Sequence, residues 1–118
     1  MSNTRKLGGE YEKLAASYLQ QHGCKLLEQN FRNRSGEIDI IAMDGETLIF
    51  VEVKYRKDNA AGNPLAAVDF RKQRQICKVS DFYRLTHGIS EFMPMRFDVI
   101  GILGEEITWM KNAFDYVG

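Results

Sequence analysis

The sequence has little of several features that define particular classes of protein. It contains two prolines and two cysteines in 118 residues. No apolar run approaches the roughly 20 residues that a membrane-spanning helix needs. The start, MSNTRKLGGEYEKL, lacks the apolar core and the small-residue cleavage site of a secretion signal. We therefore expect no membrane-spanning segment and a cytoplasmic protein.

The two cysteines, Cys24 and Cys77, form no CxxC pair. This spacing argues against a cysteine-held metal cluster. The simpler expectation is two buried thiols in a reducing compartment.

The chain also lacks net charge, since 16 basic residues balance 16 acidic ones. Global charge therefore gives no argument for a nucleic-acid partner. The distribution is uneven, because seven basic and two acidic residues lie between Lys54 and Lys78, whereas two basic and five acidic residues follow from Gly88. A basic stripe that contacts phosphates would have this asymmetry, and so would a solvated helix face. Taken alone, the pattern favours the solvated face.

What the chain does contain predicts one compact domain over residues 1–118, because 44% of the residues are apolar and 27% are charged. An apolar and aromatic stripe along one helical face predicts a first helix, and Gly23 is typical of the residue that ends a helix. The stripe consists of Leu7, Tyr11, Leu14, Ala15, Tyr18 and Leu19. Glu10 borders this stripe and is expected to face a sheet, whereas Glu12 and Lys13 are expected to be solvated.

Five strands and a second helix follow in the pattern. CKLLEQNFR predicts a strand that ends in the turn-like NRSG, and two β-rich runs around Asp44-Gly45 predict a hairpin. The last two strands are predicted over residues 96–103 and 106–110, joined through Gly104-Glu105. Between the hairpin and these strands lie a polar loop, residues 56–64, and a helix that ends near His87-Gly88.

The second helix is expected to begin near Pro64 or Asp69. Its narrow apolar face comprises Ile76, Val79 and Tyr83, and Lys72 falls on the same side. The opposite side carries Arg71, Arg74 and Lys78. The order helix, three strands, helix, two strands predicts an α/β sandwich with helices packed against a mixed central sheet.

The hairpin GEIDIIAMDGETLIFVEVKYR places charges where a core is expected: Asp39, Glu52 and Lys54 interrupt or close its apolar runs. Since strand side chains alternate between faces, the turn decides whether these groups meet. A two-residue turn at Asp44-Gly45 pairs Asp39 with Phe50 and leaves Glu52 diagonal, whereas a four-residue turn pairs Asp39 with Glu52 directly. Either even turn brings the three groups together, and a three-residue turn without a bulge separates them.

Two adjacent half-buried carboxylates repel each other and lose hydration unless a positive charge lies between them. Hard oxygen ligands from Asp39 and Glu52 suit Mg²⁺ or Mn²⁺. Lys54 could then orient or deprotonate the attacking water, or neutralise charge on a transferring phosphoryl group. The alternative is an ordinary Asp-Lys or Glu-Lys ion pair on an exposed sheet face. Three such groups within strongly apolar neighbours favour a site for phosphodiester hydrolysis.

The spacing Asp39, twelve residues, then Glu-x-Lys resembles the PD-(D/E)xK nuclease superfamily. The blocks GEIDIIA, FVEVKYR, RFDVIGI and the terminal NAF, with Gly9-Glu10 in the first helix, look closer still to the bacterial YraN family, which is itself similar to Holliday-junction resolvases. The resemblance covers nearly the whole chain and implies a restriction-endonuclease-like core. The superfamily's proline before the aspartate is Ile38 here.

The resemblance also implies roles for particular residues. Asp39 and Glu52 would hold the metal, with the Val53 carbonyl as a third ligand, and Lys54 would act at the attacking water. Glu10 matches the first-helix carboxylate that completes the metal site in resolvase-like relatives, and Glu37 is an alternative supporting carboxylate. The residues expected to contact phosphates are Arg56, Lys72, Arg71 and Arg74.

The leading hypothesis is a Mg²⁺- or Mn²⁺-dependent endonuclease that cleaves branched or structured DNA in recombination or repair. Net neutrality fits a small enzyme that forms a homodimer or relies on a local basic stripe. The alternative is a nucleic-acid-binding or adaptor module of the same fold with weak or lost catalysis. A third possibility, a structural protein whose charges are surface pairs, predicts binding of neither metal nor DNA.

Overall fold

The computed structural model describes residues 4–58 and 68–118, and for residues 4–8 it describes the backbone alone. Two helices and five strands follow one another in the predicted order. They are α1 (Thr4–Gln21), β1 (Lys25–Asn33), β2 (Gly36–Asp44), β3 (Thr47–Arg56), α2 (Phe70–Thr86), β4 (Met95–Leu103) and β5 (Glu106–Phe114). In the part of the chain described, no helix combines the length and hydropathy needed to cross a bilayer.

The strands form one sheet in the order β1-β2-β3-β4-β5. Neighbouring strands are antiparallel except for β3 and β4, which run parallel because the segment that joins them contains α2. Parallel neighbours need such a crossover, whereas the antiparallel pairs are joined by short turns. The predicted mixed α/β architecture is confirmed, and it is compatible with a restriction-endonuclease-like fold.

Each face of the sheet carries its own hydrophobic core. The α1-side core contains Ala15, Ala16, Leu19, Cys24, Ile40, Ala42, Ile49, Val51, Ile100 and Ile102. The α2-side core contains Ile38, Ile41, Leu48, Phe50, Ile76, Cys77, Val79, Tyr83 and Phe97. The two cysteines are therefore buried as expected, and since each lies in a different core they remain free thiols. The central strands β2, β3 and β4 are apolar on both faces, as strands covered by helices on both sides must be.

The buried face of α1 differs from the predicted one. Ala15, Ala16 and Leu19 are buried, whereas Leu14 is 43% exposed. The small alanine side chains allow the helix to lie close to the sheet, so the helix is rotated away from the larger Leu14. Glu12, which lies one turn before Ala16, is consequently half-buried, and the expectation that it is solvated was wrong.

Helix α2 has the predicted faces. Ile76, Val79 and Tyr83 are buried, and the side carrying Arg71, Arg74 and Lys78 is exposed. Asp69 caps the helix, because its Oδ1 accepts a hydrogen bond of 2.8 Å from the Lys72 amide. The alternative start at Pro64, and most of the polar loop predicted over residues 56–64, lie outside the described residues.

Candidate active site

The hairpin turn sets the register that builds the site. Asp44 pairs with Thr47 across a two-residue turn of Gly45 and Glu46, and Gly45 has φ +63. The turn is thus one residue later than the predicted Asp44-Gly45 turn, and the strand register is that of the four-residue alternative. The regular pairing ends at Ile40 and Val51, one step before Asp39 would lie opposite Glu52.

Asp39 lies at an interruption in the alternation of β2. Ile38 belongs to the α2-side core and Ile40 to the α1-side core, although residues two apart in a regular strand share a face. Opposite this point in β1, Asn30 has a left-handed backbone with φ +53. The Asp39 side chain is consequently held near the β3 backbone, where its Oδ2 accepts a hydrogen bond of 2.7 Å from the Val53 amide. It is 8% exposed.

Glu52 is the most deeply buried carboxyl group of the site. Its oxygens lie 3.7 Å from Lys54 Nζ and 3.8 Å from Lys72 Nζ. Burial, followed by the negative charge of Asp39, raises the pKa of Glu52 to about 8 despite the two lysines. Burial and Asp39 together therefore outweigh the stabilisation that the two lysines give to the charged form of Glu52.

A third carboxyl group comes from α1. Burial raises the pKa of Glu12 to about 7, and interaction with Asp39 adds to the effect. The Asn30 amide, oriented with its nitrogen toward Glu12, donates to the two carboxyl oxygens at 2.8 and 3.0 Å. Glu12, Asp39 and Glu52 thus form a row with Asp39 in the middle, which we call the carboxyl cluster.

Several residues named from sequence line one groove of about 260 Å³ beside the carboxyl cluster. These are Asp39, Glu52, Val53, Lys54 and Arg56, together with Tyr11, Glu12 and Tyr55. Glu10 is exposed on α1 and does not line this groove. The structure therefore brings Glu12, and not Glu10, to Asp39.

Sequence reasoning missed Glu12 because it placed Leu14 on the buried face. A usable signal was present, since Glu12 precedes Ala15, Ala16 and Leu19 by three, four and seven residues, which is the spacing of one helix face. Glu37, the alternative supporting carboxylate, forms an ion pair of 3.0 Å with Arg32 and adds to the negative charge around Glu12.

The basic residues named from sequence divide between two places. Lys72 reaches Glu52 from α2, and Arg56 lines the groove of the carboxyl cluster while its guanidinium donates to the Tyr55 carbonyl at 2.8 Å. Arg71 and Arg74 line a separate groove on the outer side of α2. Sequence reasoning also missed Arg32 and Arg34, which flank the turn between β1 and β2 and line a groove of about 420 Å³ with Lys72.

The donor set fits a hard divalent cation. Among the described residues, no three His, Cys, Asp or Glu side chains already stand in a complete metal-binding arrangement. The carboxyl cluster nevertheless supplies only oxygen ligands, and burial, together with the neighbouring Asp39, raises the pKa of two of its members, Glu12 and Glu52. Mg²⁺ and Mn²⁺ prefer such ligands. Asp39, Glu52 and the Val53 carbonyl would hold the ion, with Glu12 as the adjoining carboxyl group.

The fold and the site together define a mixed α/β protein, compatible with a restriction-endonuclease-like fold, in which carboxyl groups and a lysine lie together at the end of the central hairpin. The chain belongs to the family described as Uncharacterised protein family UPF0102, whose model matches residues 11–102. This match confirms the resemblance to the YraN family.

Relatives cover nearly the whole chain. A UPF0102 protein of Stutzerimonas stutzeri is 40% identical over 119 residues, which is 98% of this chain and 99% of the relative. One from Lachnoclostridium phytofermentans is 44% identical over 116 residues, 98% of each chain. Another, from Legionella pneumophila, is 42% identical over 114 residues, 95% of this chain and 97% of the relative. Shared ancestry and a shared fold assign no activity by themselves, because function depends on the groups at the site.

Proposed function

We propose that the protein is a Mg²⁺- or Mn²⁺-dependent endonuclease that hydrolyses phosphodiester bonds of branched or structured DNA in recombination or repair. The observation that carries the proposal is the meeting of Asp39, Glu52 and Lys54 at the end of one hairpin, with Glu52 buried and 3.7 Å from Lys54. An ordinary surface ion pair would leave its carboxylate hydrated, and Glu52 is only 6% exposed.

Each residue has a distinct part in the proposed reaction. Asp39 and Glu52 would hold the cation, which when bound polarises the phosphodiester and makes water more acidic. The hydrogen bond from the Val53 amide to Oδ2 fixes the orientation of the Asp39 carboxylate. Lys54 Nζ is placed to orient the attacking water or to neutralise charge that develops on the phosphoryl oxygens.

The surrounding cations support binding of a polyanion. Arg56 lies in the same groove as the carboxyl cluster, and Lys72 connects that cluster to the groove containing Arg32 and Arg34. Positively charged side chains around a cleavage site position the backbone phosphates. Arg71 and Arg74 extend the basic surface along α2.

A cleavage panel tests the proposal. Linear, flapped and four-way DNA would be incubated with Mg²⁺, Mn²⁺ or a chelator. We expect metal-dependent cleavage that Asp39→Asn and Lys54→Met each reduce by about 100-fold or more, the scale of loss for a group that stabilises a transition state. Glu46→Gln is the matched control, because Glu46 is an exposed carboxylate in the turn of the same hairpin. Cleavage at the wild-type rate in both site variants would overturn the proposal.

A second candidate, a nucleic-acid-binding or adaptor module with weak or lost catalysis, draws support from two observations. Lys54 and Lys72 already pair with Glu52, and the described residues hold no complete metal-binding arrangement. Calorimetric titration with Mn²⁺ separates the two candidates. Heat of binding that Asp39→Asn abolishes supports the nuclease, whereas no heat above the buffer control together with intact DNA binding supports the module.

A further inference from the structure

We propose that the outer face of α2 and the turn between β1 and β2 bind a single-stranded segment of nucleic acid, with one unpaired base stacked on Phe70. This inference deepens the proposed function and rests on it, because the bound strand would be part of the DNA substrate. The surface that recognises the unpaired nucleotide lies outside the carboxyl cluster.

The first observation is a groove of about 350 Å³ on the outer face of α2, which we call the α2 groove. Its lining residues from α2 follow helical spacing and contain three cations and no acidic side chain. They are Phe70, Arg71, Arg74, Gln75 and Lys78, joined by Ser35 from the turn. Phe70 is 61% exposed, so its ring is available to a ligand and contributes little to the core. An exposed aromatic ring among phosphate-binding cations is how proteins hold single strands.

The second observation connects the α2 groove to the carboxyl cluster. Ser35 and Gln75 line both the α2 groove and the neighbouring groove with Arg32, Arg34 and Lys72, so the two grooves are contiguous. Gly36 packs closely against Gln75 at this junction: its φ is +148, and a Cβ there would lie 2.7 Å from the Gln75 side chain. Lys72 lies at the far end, 3.8 Å from Glu52. One strand can therefore pass from Phe70 to the carboxyl cluster along a basic surface.

The positive charge of the two grooves favours a polyanion as the ligand. The exposed ring of Phe70 favours a nucleic acid whose base faces are open to stacking. Six cations line the two grooves, and the one acidic residue lining them, Glu37, is paired with Arg32. The bases within a duplex are stacked on each other and present their edges, so a side-chain ring stacks on an unpaired base without the cost of unstacking base pairs. Grooves of this volume have the size of small-ligand sites, which suits a nucleotide better than a double helix.

Fluorescence anisotropy in EDTA tests the inference without cleavage. The probes are a labelled 12-nucleotide oligo(dT) and a fully paired duplex of the same length. We expect Phe70→Ala to weaken oligo(dT) binding about tenfold, the scale of one stacked base, and to leave duplex binding unchanged. Phe92→Ala is the matched control, because Phe92 is 86% exposed and lines neither groove. Phe70→Trp should restore binding.

The salt dependence separates stacking from phosphate contacts. Arg74→Gln should reduce the slope of log affinity against log salt by about 0.7, the value for one phosphate contact on a single strand, while Phe70→Ala leaves the slope unchanged. Lys13→Gln, an exposed cation on α1, should change neither the affinity nor the slope. An unchanged unfolding midpoint for each variant verifies that it folds.

Three results would overturn the inference: oligo(dT) binding by Phe70→Ala within twofold of wild type, an equal loss in Phe92→Ala, or competition by inorganic polyphosphate as strong as that by oligo(dT). Failure of the proposed function has a different signature. If oligo(dT) binding depends on Phe70 but the protein cleaves no DNA, this inference is supported and the nuclease is rejected. If the protein cleaves DNA but oligo(dT) binding does not depend on Phe70, the nuclease is supported and this inference is rejected.

Discussion

At the scale of single residues, burial of the Glu52 carboxylate has an electrostatic cost. The side chain is buried next to Asp39, and its pKa is raised to about 8 from an ordinary value of 4.5. A carboxyl group that is buried beside another carboxyl group is stabilised when it is protonated or when a cation lies near it. Glu52 is therefore a residue through which pH acts on the stability of the metal-free protein, and Glu12, with a pKa raised to about 7, acts in the same direction.

The metal-free protein should lose stability as pH rises from about 5 to about 8. Because the folded-state pKa of Glu52 is raised, the folded protein binds more protons than the unfolded chain in this window, and the free energy of unfolding falls with pH. One such group contributes a slope of at most about 1.4 kcal/mol per pH unit. Urea denaturation in EDTA should show this slope in wild type and a flatter one in Glu52→Gln, and identical slopes would contradict the prediction.

Another buried carboxylate, Asp98, has a structural role. It is 1% exposed and accepts hydrogen bonds from Arg96 Nε at 3.0 Å, Trp109 Nε1 at 2.9 Å and the Asn112 amide at 2.9 Å. Arg96 also pairs with Asp44, so β2, β4 and β5 are joined. Arg96 and Asp98, the charged residues of the RFDVIGI block, thus stabilise the sheet and do not belong to the carboxyl cluster.

Asp98→Ala should destabilise the protein by about 3–5 kcal/mol, because it leaves Arg96 and the other donors without their buried partner. Urea denaturation measures the loss. Asp115→Ala, which removes an exposed carboxylate just beyond β5, is the control and should stay within about 0.5 kcal/mol of wild type. Equal stability of the two variants would show that the Asp98 contacts contribute nothing.

At the scale of elements, α2 links stability to the site. Its first turn carries both the capping interaction of Asp69 and the side chain of Lys72, which reaches Glu52. The cap satisfies an amide at the helix start that has no partner within the helix. An intact first turn consequently positions one of the two lysines that face the carboxyl cluster.

Asp69→Ala should lower the free energy of unfolding by about 1 kcal/mol, the usual loss for removal of a helix cap, whereas Asp69→Ser should retain most of it. Chemical denaturation of both variants provides the measurement. Since the capped amide is that of Lys72 itself, the alanine variant should also reduce cleavage more than the serine variant does. A serine variant as unstable as the alanine variant would argue against the capping role.

At the scale of the whole molecule, the carboxyl cluster exists only in the folded state. Glu12, Asp39 and Glu52 come from three different elements and are far apart in sequence. A cation held by them would bind the folded chain and not the unfolded one, which links metal binding to stability. Homodimer formation stays a prediction at this scale.

Mn²⁺ should therefore raise the unfolding midpoint of wild type, with a stabilisation of about 2.7 kcal/mol at 100 times its Kd. Thermal denaturation over a range of Mn²⁺ concentrations provides the measurement, with Ca²⁺-free buffer and EDTA as the reference. Asp39→Asn should show a much smaller shift, and the control Glu46→Gln should show the full one. An equal shift in Asp39→Asn would place the ion elsewhere.

The sequence by itself determined the order of the elements and the strand face that Glu52 and Lys54 share. Periods of two and of 3.6 residues are local properties, so they identified all seven elements, and the Glu-x-Lys spacing placed Glu52 and Lys54 on one face of β3. The basic and apolar sides of α2 followed from the same local periodicity. The spacing also predicted that Lys72 lies on the side facing the sheet, which its contact with Glu52 confirms.

Only the tertiary structure decided how α1 is rotated and what the turns bring together. The rotation of α1 depends on how closely Ala15 and Ala16 pack on the sheet, and it brings Glu12 to Asp39 while leaving Glu10 exposed. The approach of the turn between β1 and β2 to α2 is likewise a contact between distant segments. Packing of whole elements fixes these relations. The spacing along α1 is compatible with a buried face that contains Leu14 and with one that contains Glu12, and a helix of given periodicity can rotate by one residue with little change in its own energy.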